Sequence, residues 1–305
     1  MIIYAAAVEL NYSLQSSAFR RATPREQEVR RQVPHILESY HYVKKQSWVD
    51  KIRADKVKVF LDSGAFSSFS MGVEVDINDY IQYIKDNPDI ILHMEDGRPI
   101  ASVLDAIGDA HGTFCNQRIM EQAGVTPLPC FHYGEDEKYL EWYVENYPYI
   151  TIGGMVAQSN NKLIPWLDRI WDRYLTDSSG RAKIKVHGFG MTSVMMMERY
   201  PWYSVDSSSW VQASGNGSIM LVGHSALAIS DGSPMRKANN QHYDTIAPAL
   251  REKVKEIIEK LGFDVERLHK TYIARWTFNL HNYTLLNEKY ANKDDVFVLE
   301  QEGLF

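Results

Sequence analysis

The sequence predicts an α/β fold, a single (β/α)8 TIM barrel, and three observations carry that reading. Short apolar runs alternate with longer amphipathic stretches along the 305 residues, the pattern of a parallel sheet with crossover helices. Eight such runs can be counted, the number a closed barrel needs. Six segments that follow apolar runs are rich in Gly or small polar residues: DSGAFSSF, DAIGD, FHYGED, IGGM, HGFGM and VDSSSW. In a barrel they would share the C-terminal rim, where active sites are built.

Taken in order, the strands are expected at 2–8, 57–61, 102–107, 126–131, 149–152, 184–187, 203–205 and 219–222. Helices are expected between them at 24–46, 77–85, 115–123, 137–146, 162–174, 193–199 and 247–261, the last closed by Gly262 as a C-cap. An aromatic, polar stretch at 272–290 reads as a further helix packed on the barrel. No Pro/Gly/Ser linker separates a second domain, so residues 1–305 form one domain with a C-terminal helical extension from about 241 to 305.

Composition bounds the function. With 45% hydrophobic and 24% charged residues, the chain has the balance of a soluble enzyme. Two cysteines, Cys115 and Cys130, make neither a disulfide framework nor a C-x-x-C pair, which suits a reducing setting. The start MIIYAAAVEL lacks the basic and long apolar regions of a signal peptide, and no apolar run reaches the roughly 20 residues of a membrane helix. A cytoplasmic protein without membrane partners is expected. The net charge is −6, yet residues 1–58 carry 11 Lys/Arg against 6 Asp/Glu, or +5, leaving −11 for the rest. Arg20, Arg21, Arg30, Arg31, Lys44 and Lys45 in that segment are candidate phosphate contacts.

The chemistry rests on two aspartates. Asp62 follows the apolar run VKVFL, and Asp206 follows YSV. On strands two and seven, linked around a closed barrel through strands eight and one, their carboxylates can approach one ligand. Paired carboxylates suit glycosyl chemistry, one attacking an anomeric carbon and the other handling protons. Phe66, Trp202, Tyr203 and Trp210 flank them and are candidate base-stacking rings. His111, Cys115, Cys130 and His132 invite comparison with a metal site, but packing at the core and rim is the reading preferred, so neither metal nor cofactor is expected.

In order and spacing, these motifs resemble the tRNA-guanine transglycosylases over roughly residues 55–225. FLDSGAFSSF is similar to their D-S-G-G-F-Q motif, YITIGGM to their G-G motif, and KVHGFGMTS followed by YSVDSSSW to the segment ending in the nucleophile. The resemblance is strongest to the members of phages and genomic islands that place 7-deazaguanines in DNA. It departs from the tRNA enzymes at DSGAFSS, at the Ser-Ser-Ser-Trp after Asp206, and in lacking the C-x-C-x-x-C plus His zinc subdomain. That last departure moves the expected polymer from tRNA to DNA.

The resemblance implies a transglycosylase that exchanges guanine in DNA for a preQ0-type 7-deazaguanine through a covalent intermediate, with Asp206 as nucleophile and Asp62 as general acid/base. It also implies a substrate pocket. Ser63, Gly64 and Phe66 would follow Asp62, and Asp109, with Asp105 competing, would read the base edge. Gly153, Gly154 and Met155 would line the pocket, joined by His187, Gly188 and Gly190. A monomer is expected, in host cytoplasm if phage-encoded, with room for accessory proteins. The rival readings are a barrel glycoside hydrolase, a tRNA enzyme, a base-excising glycosylase and a non-catalytic nucleic-acid-binding barrel.

Overall fold

A computed structural model describes residues 1–156, 158–222, 224–293 and 296–297. Seven parallel strands form one curled sheet: β1 (Ile2–Ala6), β2 (Ile36–Ser39), β3 (Phe60–Asp62), β4 (Cys130–His132), β5 (Tyr149–Gly153), β6 (Lys185–Gly188) and β7 (Ser204–Ser207). Their spatial order is β3-β2-β1-β7-β6-β5-β4. The regular sheet is therefore a half-barrel and not a closed eight-stranded one. Isolated bridges lie between its edges: Leu61 of β3 pairs with Ala101, and Ser102 pairs with Leu128 just before β4.

Side chains alternate across each strand, as a period of two requires. Tyr4, Ala6, Leu37, Phe60, Leu128 and Tyr149 form a cluster on the concave side. Ile3, Ala5, Ile36, Leu61, Phe131, Ile150, Val186 and Val205 belong to a larger core shared with the helices. The same alternation carries Asp62 and His132 onto the concave side, two residues on from Phe60 and four from Leu128; the register sets Asp206 beside Tyr4, and His187 packs against Tyr4 and Phe60.

Two strand assignments change. Residues 36–39, expected inside a long helix, form β2, and the expected helix 24–46 divides into Pro24–Arg31, β2 and a short turn at Tyr40–Val43. Pro34 explains the division, because its ring and missing N–H disfavour a continuing helix. Residues 219–222 supply no sheet strand; Ser218–Ile219 pairs antiparallel with Leu227–Ala228 in a separate hairpin. Of residues 102–107, only the bridge at Ser102 takes part in pairing.

The C-terminal extension holds helices Pro248–Lys260, Val265–Lys270 and Tyr272–Tyr290; the last packs on β1. Its Asn287 Oδ1 accepts from Ile3 N at 2.8 Å while Nδ2 donates to Ile3 O at 2.8 Å, which pins β1 like an extra strand. The end of the extension, 298–305 with 294 and 295, lies outside the described residues. Among the described residues, no helix is long and apolar enough to cross a membrane.

Candidate active site

Asp62 is the last residue of β3, and the register Ser39↔Asp62 sets β2 beside it. Its Oδ2 accepts from the Gly64 N–H at 3.0 Å, and its Oδ1 lies 3.4 Å from the Ser102 hydroxyl, which accepts from Ser63 N at 2.9 Å. A Cβ on Gly64 would fall 2.5 Å from His41 Cβ, so this turn requires glycine to pack against the residues after β2. Burial, then the charges of Asp105 and Asp206, push the Asp62 carboxyl up to about 7. The two aspartates thus act on each other across the concave side, with β1 and β2 between their strands rather than an eighth strand and β1.

Asp206, buried on β7, is held from one side. Its Oδ1 accepts from Gly190 N at 2.9 Å and faces His187 Nε2 at 3.3 Å. His187 Nδ1 lies 2.7 Å from the Ser204 hydroxyl, which lies 2.6 Å from the Tyr149 hydroxyl. The consistent assignment has Tyr149 donating to Ser204, Ser204 to Nδ1, and Nε2–H to Asp206. Oδ1 is thereby engaged, leaving Oδ2 for a ligand. Gly190 has φ +69°, a left-handed turn that aims its N–H at the carboxylate. Tyr4, Phe60 and Phe189 surround the imidazole of His187.

A third group completes this end of the sheet. Asp105 Oδ2 lies 3.4 Å from His132 Nε2, and Cys130 Sγ lies 3.5 Å from the same nitrogen. On the other side of the ring, His132 Nδ1 is 3.1 Å from Glu135 Oε1, and Glu135 Oε2 accepts from His132 N at 2.9 Å. Burial opposes charge on His132, yet the Asp105 carboxylate beside it holds the imidazole above the ordinary range. Burial and Asp105 push the Cys130 thiol up to about 11. Asp105 Oδ1 is buried without a hydrogen-bond partner.

Several expectations change with placement. Asp109 is exposed and caps helix Ala110–Gln122 by accepting from Gly112 N, which leaves Asp105 as the acid beside Asp62. Ser63 is fully buried with its hydroxyl unpartnered, and Met155 is buried in the core. Gly153 and Gly154 lie against His132, where a Cβ would come within 2.9 and 3.3 Å of the side chain. A Cβ on Gly188 would meet the Trp202 ring at 3.0 Å, so that glycine accommodates the protein's own packing instead of a ligand. Trp202 and Trp210 are fully buried, their indole N–H groups donating to Met196 O and Ala6 O. Neither can sandwich a base. Tyr203 precedes β7 and lines a cavity of about 950 Å³ with Ile2, His35 and Lys185, at the opposite end of the strands. Phe66 is 71% exposed beside Asp62, and Phe69 is 65% exposed on the same short helix.

The basic segment also divides. Arg30 is buried and paired with Glu9, so it offers phosphate nothing. Exposed Arg31 stacks over Phe19 at 4.9 Å, three residues before Pro34, which lines the opposite-end cavity. Arg20 and Arg21 are exposed, Arg21 donating to the Tyr272 hydroxyl at 2.9 Å. Lys44 and Lys45 are exposed just after β2, whose neighbouring His41 meets Ser68 at 2.6 Å beyond Asp62. His111 pairs with Cys115 at 3.6 Å, apart from the Cys130 and His132 pair.

Ser204, Tyr149, Ser39 and Ser102 were not singled out by sequence reasoning. Ser204 had a usable signal, since it lies two residues before Asp206 and shares its strand face. Compared with known proteins, the chain matches no protein-family profile and no curated protein sequence.

Proposed function

We propose that this protein is a transglycosylase exchanging guanine in DNA for a 7-deazaguanine base, at the C-terminal end of its curled half-barrel sheet. The observation that carries the reading is the unequal pair: Asp206 is oriented through one oxygen, while Asp62 is lifted to about 7 across the same concave face. Asp206 Oδ2 attacks C1′ of the target nucleotide, forming an ester as the bond to guanine N9 breaks. Asp62, protonated near neutrality, donates a proton to the leaving base. It then takes the N9 proton of the incoming base, whose nitrogen attacks C1′ and releases Asp206. Two inversions preserve the β-configuration.

In this reading Asp105, whose buried Oδ1 has no partner within the protein, accepts from the amidine edge of the base through that oxygen. Exposed Phe66 and Phe69 offer stacking surfaces to a flipped-out or single-stranded target. Lys44 and Lys45 supply nearby positive charge. DNA is preferred over tRNA because two cysteines cannot form the tRNA enzymes' Cys-rich zinc subdomain.

The test is incorporation of radiolabelled guanine and a 7-deazaguanine precursor into DNA and tRNA offered separately. Labelled DNA is the expected result. Label in tRNA alone would overturn the DNA assignment, and abasic sites without label would replace exchange by base excision.

A further inference from the structure

We propose that Asp105, Cys130 and His132 form a three-ligand zinc site at the C-terminal end of β4. The proposal rests on their geometry and not on the exchange reaction. Cys130 and His132 are i and i+2 on one strand, so both side chains leave the same face. Asp105 arrives from the segment that bridges β3 to the start of β4. The three donor atoms lie within 4.8 Å of one another.

The distances around His132 fit a shared ion. Zinc binds imidazole nitrogen at about 2.0 Å, carboxylate oxygen at about 2.0–2.2 Å and thiolate sulfur at about 2.3 Å, with tetrahedral geometry. Those bond lengths place nitrogen about 3.4 Å from oxygen and about 3.5 Å from sulfur. The observed separations from His132 Nε2 are 3.4 Å to Asp105 Oδ2 and 3.5 Å to Cys130 Sγ.

Three further observations point the same way. Glu135 grips the far side of the ring, with Oε1 3.1 Å from His132 Nδ1 and Oε2 on the backbone N–H. A zinc-binding histidine is ordinarily fixed through its second nitrogen in this manner. Asp105 is about nine-tenths buried, and its Oδ1 has no hydrogen-bond partner, a cost that an adjacent cation relieves. Finally, a Cβ on Gly153 would stand 3.2 Å from Nε2 and 3.3 Å from Sγ, so glycine keeps that flank of the donors clear. Thiolate, imidazole and carboxylate together suit zinc better than calcium or magnesium, and three protein ligands leave a fourth position for water or a ligand oxygen.

The experiment uses full-length protein stripped with a chelator, then titrated with cobalt(II) and competed with zinc. One equivalent of cobalt should bind, with the visible bands of a tetrahedral site and a near-ultraviolet thiolate-to-metal band. The chain has two cysteines, so Cys115→Ser assigns the sulfur. A thiolate band retained in folded Cys115→Ser comes from Cys130 and supports the site; its loss there moves the metal to Cys115 and overturns it. Glu135→Gln should weaken cobalt binding on the order of 10- to 100-fold. Folded wild-type protein that takes up no cobalt, or takes it up without a thiolate band, also overturns the proposal.

Discussion

Asp62, Asp105 and Asp206 at the end of the sheet have a counterpart in Glu9, Glu38 and Asp55, packed between β1, β2 and helix Gln46–Asp55. Both are groups of acids largely removed from water. In the second group the partners are fixed and internal. Arg30 pairs with Glu9 and donates to Tyr12 O at 2.6 Å; Glu38 Oε1 accepts from Glu9 N at 2.6 Å. Asp55 Oδ2 accepts from the Ser13 hydroxyl at 2.8 Å and from Leu14 N at 2.6 Å. At the rim the partners are backbone N–H groups, serine hydroxyls and imidazoles; Asp105 Oδ1 has no hydrogen-bond partner, and neither do Glu9 Oε2 and Glu38 Oε2 in the internal group. The difference lies in the company each group keeps: the glutamates are packed inside the fold with a buried guanidinium beside Glu9, whereas the rim acids stand at the strand ends among imidazoles and hydroxyls, where a ligand can meet them. The first arrangement serves the fold and the second serves chemistry.

The largest expected effect breaks the chemistry alone. Asp206→Ala should abolish a covalent protein–nucleic-acid adduct and lower exchange by on the order of 10⁴-fold or more. Its melting temperature should stay close to wild type. Adduct formation is read on a denaturing gel after incubation with DNA, and an adduct that survives the substitution removes Asp206 as the nucleophile.

The opposite break is Arg30→Met. Above pH 8, where Glu9 is ionised, removing one member of this buried ion pair costs about 3–5 kcal/mol, because the remaining carboxylate is left uncompensated. Denaturant unfolding should show that loss, while exchange per folded molecule stays unchanged. Arg30→Met that kept its stability but lost activity would erase the division between the two groups.

That division was only half legible in the sequence. Asp62, Asp206 and His187 stand beside apolar strand runs, so their common end followed from periodicity. Arg30 looked like a phosphate contact because charge counts carry no information on burial; its partner Glu9 is 21 residues away. β2 was hidden by its length of four residues and by Glu38 within it, a charge that only tertiary partners make tolerable. Asp105 and Asp109 stand four residues apart in the loop before helix Ala110–Gln122, and the sequence could not tell which would be spent capping it. Cys130-x-His132 was visible as a pair, but the arrival of Asp105 depends on the bridge at Ala101 and Ser102.

The subtlest contrast, the pH at which the melting temperature stops falling, sharpens the comparison further. Burial raises Asp62 from 3.8 to about 7, and raises Glu9 and Glu38 from 4.5 to about 8. Each carboxyl therefore binds its proton more tightly folded than unfolded. The stability this contributes is complete below the unfolded values, and it is lost as pH rises through 7 for Asp62 and through 8 for the glutamates. Wild-type melting temperature should thus fall between pH 5 and pH 9 in the direction set by both groups. Asp62→Asn should gain on wild type up to about pH 7 and then hold a constant margin. Glu38→Gln should continue to gain to about pH 8. Exchange should lose its ionisation near pH 7 in Asp62→Asn and keep it in Glu38→Gln, because only the rim carboxyl passes its proton to a base. Melting curves of Asp62→Asn that parallel wild type across this range would show that Asp62 ionises like an ordinary aspartate, and would withdraw it as the proton carrier.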